Sequence, residues 1–331
     1  MTTPEGTRTA LITGVAGQDG SYLAELLLAK GYLVHGLVRG SSSYNALRIE
    51  HLRTDVHDEH ARFFLHHGDM ADGSRLMTLL QSIVPDEVYN LAATSHINLS
   101  FAEPELTGMT SGISATRLLE AIRVIGLPTR YYQASSSAMF GDAPGPQDES
   151  TPLQPLSPYG AAKAYAYWMT RTYRQSYGMF AVNGIAFNHE SPRRDESFVT
   201  RKIAMGAAAI ASGSRDFLYL GNLEAARDWG YAREYVEGMW AMLQDDAPDD
   251  FVLATGTSYT VRDFLGFCFD AVGLDWQRHV KFDQRYLRPT EVDSLVGDPS
   301  KAEQRLGWKA RVLAPELAQI MTAAEVDALA G

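Results

Sequence analysis

Residues 9–20 read Thr9-Ala-Leu-Ile-Thr13-Gly14-Val-Ala-Gly17-Gln18-Asp19-Gly20. Thr9 to Thr13 is a short apolar run, the pattern of a strand buried on both faces of a parallel sheet. The glycines follow at once, and Ser21 to Lys30 then has helical periodicity. Strand, glycine turn and helix in that order let backbone amides approach a pyrophosphate, whose charge the helix N-terminus favours. The glycines are spaced G-x-x-G-x-x-G rather than G-x-G-x-x-G, so the context carries the reading of a dinucleotide site, not the spacing. Gly14, Gly17, Gln18, Asp19 and Gly20 are its candidate residues.

Working outward, Tyr32 to Val38 reads as a second strand, closed by Arg39. A position about 20 residues past the glycines meets the adenosine ribose. An acidic residue there accepts from a 2′-hydroxyl. Arg39 followed by Ser41-Ser42-Ser43 suits a 2′-phosphate instead, so the expected cofactor is NADP. Phe63 to His67 is a third strand. Asp69 and Met70 follow it, and Asp69 is placed to accept from the adenine amino group. Glu87 to Leu91 is a fourth strand, and the small Ala92 and Ala93 after Leu91 leave room for a cofactor. Residues 113–125 carry an apolar i, i+3, i+4 stripe, read as a helix, and Arg130 to Ala134 reads as the next strand. This alternation argues for an α/β doubly wound parallel sheet with active groups at the strands' carboxyl ends.

The chemistry concentrates between Ser135 and Lys163, which reads S-S-S-A-M-F-G, an acidic Pro-rich loop, then S-P-Y-G-A-A-K. On a helix, Tyr159 and Lys163 share a face. An ammonium beside a phenol favours the phenolate and draws its pKa down from about 10. That makes a base for a sugar hydroxyl as hydride leaves the same carbon, with the Ser136 hydroxyl completing the hydrogen bonds to the oxygen.

The chain has 331 residues, 45% of them hydrophobic, and a net charge of −11, which argues against nucleic acid or an anionic membrane as partner. The one cysteine, Cys268, excludes an internal disulfide and a thiolate metal cluster and reads as a buried small hydrophobe. The polar start lacks a signal peptide's apolar core, and no apolar run is long enough to span a membrane. A soluble, cytoplasmic protein is expected. His96, His189 and the pair His66-His67 show no ligand spacing, so no metal site is expected.

In the trailing half, Phe198 to Ser212 reads as a helix over the substrate, Phe217 to Leu220 as a strand, and Asp228 to Leu243 as a helix carrying Trp229 and Trp240. Phe251 to Ala254 reads as a strand, Thr260-Val-Arg-Asp263 as a capping box, and Leu313 to Ala330 as a closing amphipathic helix. The expected division is a Rossmann domain over 1–190, with segments near 217–255 returning to it, and a smaller C-terminal α/β substrate domain over 191–331. The substrate then lies in the cleft between them. The helices over 114–125 and 165–177 are apolar around more than one face.

The motifs T-G-V-A-G-Q-D-G-S-Y-L, L-V-R-G-S-S-S-Y-N, N-L-A-A-T-S-H, Y-Q-A-S-S-S-A-M-F-G, S-P-Y-G-A-A-K-A-Y-A-Y-W, F-N-H-E-S-P-R-R, R-D-W-G-Y-A-R-E-Y-V and R-P-T-E-V-D run through nearly the whole chain. Together they resemble the extended short-chain dehydrogenase/reductases, and among these the GDP-mannose 4,6-dehydratase family. The resemblance implies NADP and a GDP-sugar, GDP-mannose or a relative. The sugar is oxidised at C4, a glutamate takes the C5 proton, water leaves C6, and hydride returns to C6. It implies catalytic roles for Ser136, Tyr159 and Lys163, and cofactor contacts at His189 and Arg194. Ser95, Asn188, Val199, Lys202, Arg227, Arg288 and Glu291 fall on the GDP-sugar side. Arg227 and Arg288 also suit a diphosphate on chemical grounds, the alternative being surface ion pairs with Asp228 or Glu291. Pairing through two helices is common among such dehydrogenases, so a homodimer or homotetramer is expected.

The departures are as informative. Ala138 stands where the family has its glutamate, Gly40 where it has a second arginine, Leu106 where a tyrosine and Thr94 where a glutamine is usual. A methyl group can neither take the C5 proton nor deliver one to the leaving hydroxyl. The sequence therefore implies impaired or altered dehydration; a diverged 4-epimerase or 4-keto reductase and a catalytically silent GDP-sugar-binding protein are the alternatives.

Overall fold

The computed structural model describes residues 6–39, 45–53, 55, 57, 58, 60–286, 292 and 294–330. Gly40, the serines from Ser41 to Ser43, Arg288 and Glu291 lie outside the described residues.

The first half alternates strand and helix: β1 (Thr9–Thr13), α1 (Gln18–Ala29), β2 (Leu33–Val38), β3 (Phe63–His67), α2 (Gly73–Ile83) and β4 (Glu87–Asn90). Short helices α3 (Ile97–Ala102) and α4 (Pro104–Gly108) lead through a π turn at Met109–Ile113 into α5 (Ser114–Ile125). Then come β5 (Arg130–Ser136), α6 (Pro158–Tyr177), β6 (Ala181–Ala186) and β7 (Asn188–Glu190). The second half holds α7 (Val199–Ala211), β8 (Leu218–Leu220), β9 (Ala226–Tyr231), α8 (Ala232–Met242), β10 (Asp250–Leu253), β11 (Ser258–Thr260), α9 (Val261–Asp270), β12 (Val280–Phe282), β13 (Ser294–Leu295), α10 (Ser300–Leu306) and α11 (Ala314–Ala330).

Seven strands form one sheet in the order β10-β6-β5-β4-β1-β2-β3, every pairing parallel. β1 lies between β2 and β4, so the winding reverses there and the β1 and β4 carboxyl ends diverge into a crevice. Thr13 closes its floor: its hydroxyl donates to Asn90 Oδ1 at 2.8 Å and accepts from the Leu91 and Ala92 amides at 3.2 Å. Leu23 and Leu27 of α1 meet Val236 and Met239 of α8 on one face of the sheet, while Leu76, Leu80, Leu118 and Ile122 of α2 and α5 cover the other. A further cluster joins α7, α9 and α11 through Ile203, Phe264 and Leu317, with Cys268 buried in it. Among the described residues no helix is long and apolar enough to cross a membrane, and no three side chains gather as metal ligands.

One long helix expected from sequence is two elements. Residues 226–231 are strand β9, and the helix begins only at Ala232. The reason is long-range. Asp228 is fully buried and accepts from the backbone amides of Thr255 and Gly256 at 2.9 Å and from Gly297 at 3.3 Å, which holds this segment extended between β11 and β13. Trp229 on the same strand packs against Phe264. The capping box at Thr260 and Asp263 opens α9 with both reciprocal hydrogen bonds present.

Candidate active site

A cleft of about 1030 Å³ opens at the carboxyl ends of the sheet and extends under α7. Its inner wall is the β1–α1 turn. Gly14 has φ +71°, and a Cβ there would sit 2.9 Å from the Ala92 backbone; one at Gly20 would sit 2.4 Å from the Gly14 carbonyl. α1 begins at Gln18 rather than near Ser21, so Gly20 lies inside its first turn and lets that turn press onto the loop. No side chain caps the helix at Gly17, which leaves its first amides for an anion. Arg39, Asp69, Met70, Leu91, Ala92 and Ala93 continue this wall. Asp69 Oδ1 also closes a local turn, accepting from the Ala71 amide at 2.8 Å.

His189 and Asp19, 170 residues apart, are joined here. His189 Nε2 lies 2.8 Å from Asp19 Oδ2, and Nδ1 lies 2.7 Å from the Phe187 carbonyl oxygen. Both ring nitrogens face oxygens that only accept, so the arrangement calls for the doubly protonated imidazolium. Burial opposes that charge, but Asp19 and the carbonyl outweigh it and raise the His189 pKa. Burial likewise works against the Asp19 carboxylate, and His189 brings its pKa below the ordinary value. Gln18 donates to the His189 carbonyl at 3.0 Å, and Tyr235 stacks on the imidazole at 4.7 Å. Arg194 pairs with the buried Glu190 at 3.0 Å and lies 3.5 Å over Phe198.

Ser136 ends β5, and Tyr159 and Lys163 lie in the first turns of α6. Ser157 caps that helix, its Oγ accepting from the Gly160 amide at 3.0 Å, and Pro158 follows at the first helical position. The far end of α6 is clamped: Arg174 gives two hydrogen bonds of 2.9 Å to the buried Asp250. The helix presents the triad to the cleft, but the electrostatics differ from the expectation. Lys163 Nζ donates to the Ala134 carbonyl at 2.6 Å and stands 5.7 Å from the centre of the Tyr159 ring. Burial pushes the Lys163 pKa down to about 8, with Asp19 opposing. Burial also raises the Tyr159 pKa rather than letting it fall. The Ser136 hydroxyl and then Arg194 pull it back, and the lysine is not the group that does so.

Ala138 lines the cleft from a tight turn at Ser137–Met139, its amide donating to Ser136 Oγ at 3.2 Å. A Cβ at Gly160 would sit 2.5 Å from the Ala138 carbonyl, so α6 rests directly on this turn. Asp142, the next carboxylate along the chain, is exposed and is not among the residues lining the cleft. The lining carboxylates among the described residues are Asp19, Asp69, Glu190 and Glu196. Asp19 is held by His189, and Glu190 by Arg194 and by the Thr200 hydroxyl at 2.7 Å.

The outer wall brings together Ser95, Asn188, Val199, Lys202 and Arg227. Lys202 Nζ lies 3.3 Å over the Tyr286 ring, and Arg227, on β9, donates to the Ala226 carbonyl at 2.7 Å. Alternation along β9 separates Arg227 from its neighbour Asp228, whose bonds run to Thr255, Gly256 and Gly297. All the site residues expected from sequence line this one cleft, apart from Ser41, Arg288 and Glu291, which lie outside the described residues. Met205, Arg215, Asn222 and Tyr286 also line it, and no glycine pattern, acid–base pair or helix period marked them.

A profile of the family described as GDP-mannose 4,6 dehydratase matches residues 11–321. The GDP-mannose 4,6-dehydratase of Sinorhizobium fredii (strain HH103) is 52% identical over 344 residues, covering 98% of each chain. GDP-mannose 4,6 dehydratase 1 of Arabidopsis thaliana is 52% identical over 323 residues, covering 96% of this chain and 90% of its own. Among solved structures, UDP-glucose 4-epimerase from Thermotoga maritima with UDP-glucose superposes with a TM-score of 0.83 at 23% identity, over 97% of this chain and 99% of its own. RMD from Pseudomonas aeruginosa complexed with NADPH superposes with a TM-score of 0.80 at 19% identity, over 97% of this chain and 100% of its own. The structural likenesses concern the fold, whereas the sequence match is close and nearly full-length: the chain belongs to the GDP-mannose 4,6-dehydratase family.

Proposed function

We propose that the protein is a cytoplasmic NADP-dependent enzyme acting on GDP-mannose or a close GDP-sugar, competent at C4 but poor at the elimination that follows. The observation that carries this is one cleft holding Ser136, Tyr159 and Lys163 beside the glycine turn, with a methyl group at position 138. Two features fit the cofactor: an uncapped helix N-terminus at Gly17, and the small wall of Ala92 and Ala93. When bound, NADP supplies the hydride acceptor for C4 oxidation and the donor for the return at C6.

The chain's own part is proton handling and positioning. Tyr159 takes the proton of the C4 hydroxyl, Ser136 hydrogen-bonds the same oxygen and with Arg194 favours the phenolate as it forms, and Lys163, donating to the Ala134 carbonyl, fixes the end of β5 that carries Ser136. Arg39 holds the 2′-phosphate, and Lys202 and Arg227 meet the substrate diphosphate. Residues 1–190, with the segments returning near 217–255, serve the cofactor, and residues 191–331 mainly serve the sugar nucleotide. Elimination needs a group that accepts at C5 and donates at C6; Ala138 supplies neither. A diverged 4-epimerase or 4-keto reductase is the second reading, favoured by the same methyl group. The protein incubated with NADP and GDP-mannose should develop NADPH fluorescence. A silent binding protein would bind both and give none, and that outcome would overturn the enzyme reading.

The enzyme is at least a dimer on this reading. Val124 of α5 and Tyr165, Trp168 and Tyr177 of α6 are 43–56% exposed, an apolar face that a second copy would cover. Light scattering at micromolar concentration should return twice the mass of the chain or more; a monomer removes the claim.

A further inference from the structure

We propose that Arg215 reads the nucleobase, presenting its guanidinium fork to the O6/N7 edge of guanine at the outer end of the cleft. The proposal deepens the GDP-sugar reading and rests on it. Val199, Lys202 and Met205 line the cleft at three-residue intervals, so it follows one stripe of α7 for about 9 Å, at about 1.5 Å per residue. Beyond the end of α7 the chain turns through residues 212–217 into β8. There Arg215 rejoins the cleft wall, together with Gly221, Asn222 and Tyr286.

Other arginines on the wall are engaged by the protein itself: Arg194 with Glu190, Arg285 with Asp283 at 2.6 Å, and Arg227 with the Ala226 carbonyl. Arg215 makes no hydrogen bond, ion pair or ring contact among the described residues. A chain of net charge −11 nevertheless keeps this cation, without an acidic partner among the described residues, on the wall of the cleft. Lys202 and Arg227 line the same cleft and suit the diphosphate, which leaves the nucleoside for the stretch beyond α7. Guanine carries two acceptors, O6 and N7, side by side on one edge, and a guanidinium meets them with two parallel N–H donors. Adenine pairs N7 with a donor instead, so the same fork discriminates between the purines. Tyr286, 48% exposed, offers ring surface beside the slot.

Calorimetric titration of the full chain with GDP, 7-deaza-GDP (which lacks N7), ADP and NADP tests the assignment. The wild-type protein should bind GDP about tenfold more tightly than 7-deaza-GDP and more tightly still than ADP. Arg215→Ala and Arg215→Lys should each weaken GDP about tenfold, erase the 7-deaza penalty, and leave NADP unchanged, because lysine keeps the charge but not the fork. Equal weakening of GDP, 7-deaza-GDP and ADP would make Arg215 a phosphate contact and overturn the proposal. GDP binding indifferent to Arg215 would sink this proposal alone. A wild-type protein that binds NADP but ignores GDP would sink the substrate reading and this proposal with it.

Discussion

At the inner end of the cleft the polar groups satisfy one another. Asp19 holds His189, Gln18 bridges to the His189 backbone, Glu190 holds Arg194, and Lys163 is spent on the Ala134 carbonyl. At the outer end fewer such pairs form among the described residues: the Lys202 ammonium rests on the Tyr286 ring, and Arg215 is exposed and makes no hydrogen bond, ion pair or ring contact among the described residues. The difference assigns different work to the two ends. A site whose groups already hold each other in place binds a ligand with little reordering, and its charges act in a buried, preorganised setting. A site with fewer such fixed pairs draws more of its order from the anion it takes up.

The largest effect should come from the inner end. Tyr159→Phe keeps the ring and removes the proton acceptor, and NADPH formation with GDP-mannose should fall by about 10³-fold, within the usual range for one acid–base group. Binding of GDP and NADP should be unchanged. If fluorescence develops at the wild-type rate, the triad is not the catalytic group, and the ordered inner end serves only to bind.

Exchanging the arginines sharpens the contrast. Arg227→Ala should weaken GDP about 10–100-fold and leave NADP alone, while Arg39→Ala should weaken NADP by a similar factor and leave GDP alone; both figures follow from a charged hydrogen bond worth about 1.5–3 kcal/mol. Titration of both ligands on both variants checks this. Equal loss of the two ligands in either variant would mean that the arginine is structural and that the ends are not separate.

A smaller effect concerns stability. Lys163 is 3% exposed, and its pKa in the folded chain, about 8, lies below its ordinary 10.5. Between those values the unfolded chain binds more protons, so stability rises with pH across that window and the penalty is at full size below about pH 8. Without ligands, Lys163→Met should therefore stabilise the protein at pH 7 by on the order of 2 kcal/mol, after allowing for the hydrogen bond lost at Ala134. The gain should vanish near pH 10.5. Denaturant melts at the two pH values test this, and destabilisation at pH 7 would show that the buried charge is no burden.

What was legible in the sequence was what neighbouring residues dictate. The strand and glycine turn from Thr9 to Gly20, the helix that puts Tyr159 and Lys163 on one face and the Thr260–Asp263 capping box are all set within a few residues, and the structure contains each. The part of β9 from Asp228 to Tyr231 reads as helix in the sequence because its extended form depends on Asp228 meeting Thr255, Gly256 and Gly297 across the fold. The Tyr159 pKa was read in the wrong direction for a related reason. Helical spacing brings Lys163 near but cannot show that burial dominates or that the ammonium turns to Ala134. The pairing of Asp19 with His189 likewise joins elements far apart in the chain and left no local trace.

The central claim is that this member of a dehydratase family carries the C4 chemistry on Ser136, Tyr159 and Lys163 but lacks, at Ala138, the base for elimination. The most direct measurement is incubation with GDP-mannose and NADP in deuterated water, followed by mass spectrometry and NMR of the sugar nucleotide, for the wild-type protein and for Ala138→Glu. The account predicts NADPH formation with little 4-keto-6-deoxy sugar and little deuterium at C5 for the wild type, and at least 100-fold faster dehydration with deuterium at C5 once the carboxylate is restored. Wild-type protein that makes the C5-deuterated 4-keto-6-deoxy product as fast as Ala138→Glu would contradict it, because another group would then be the base.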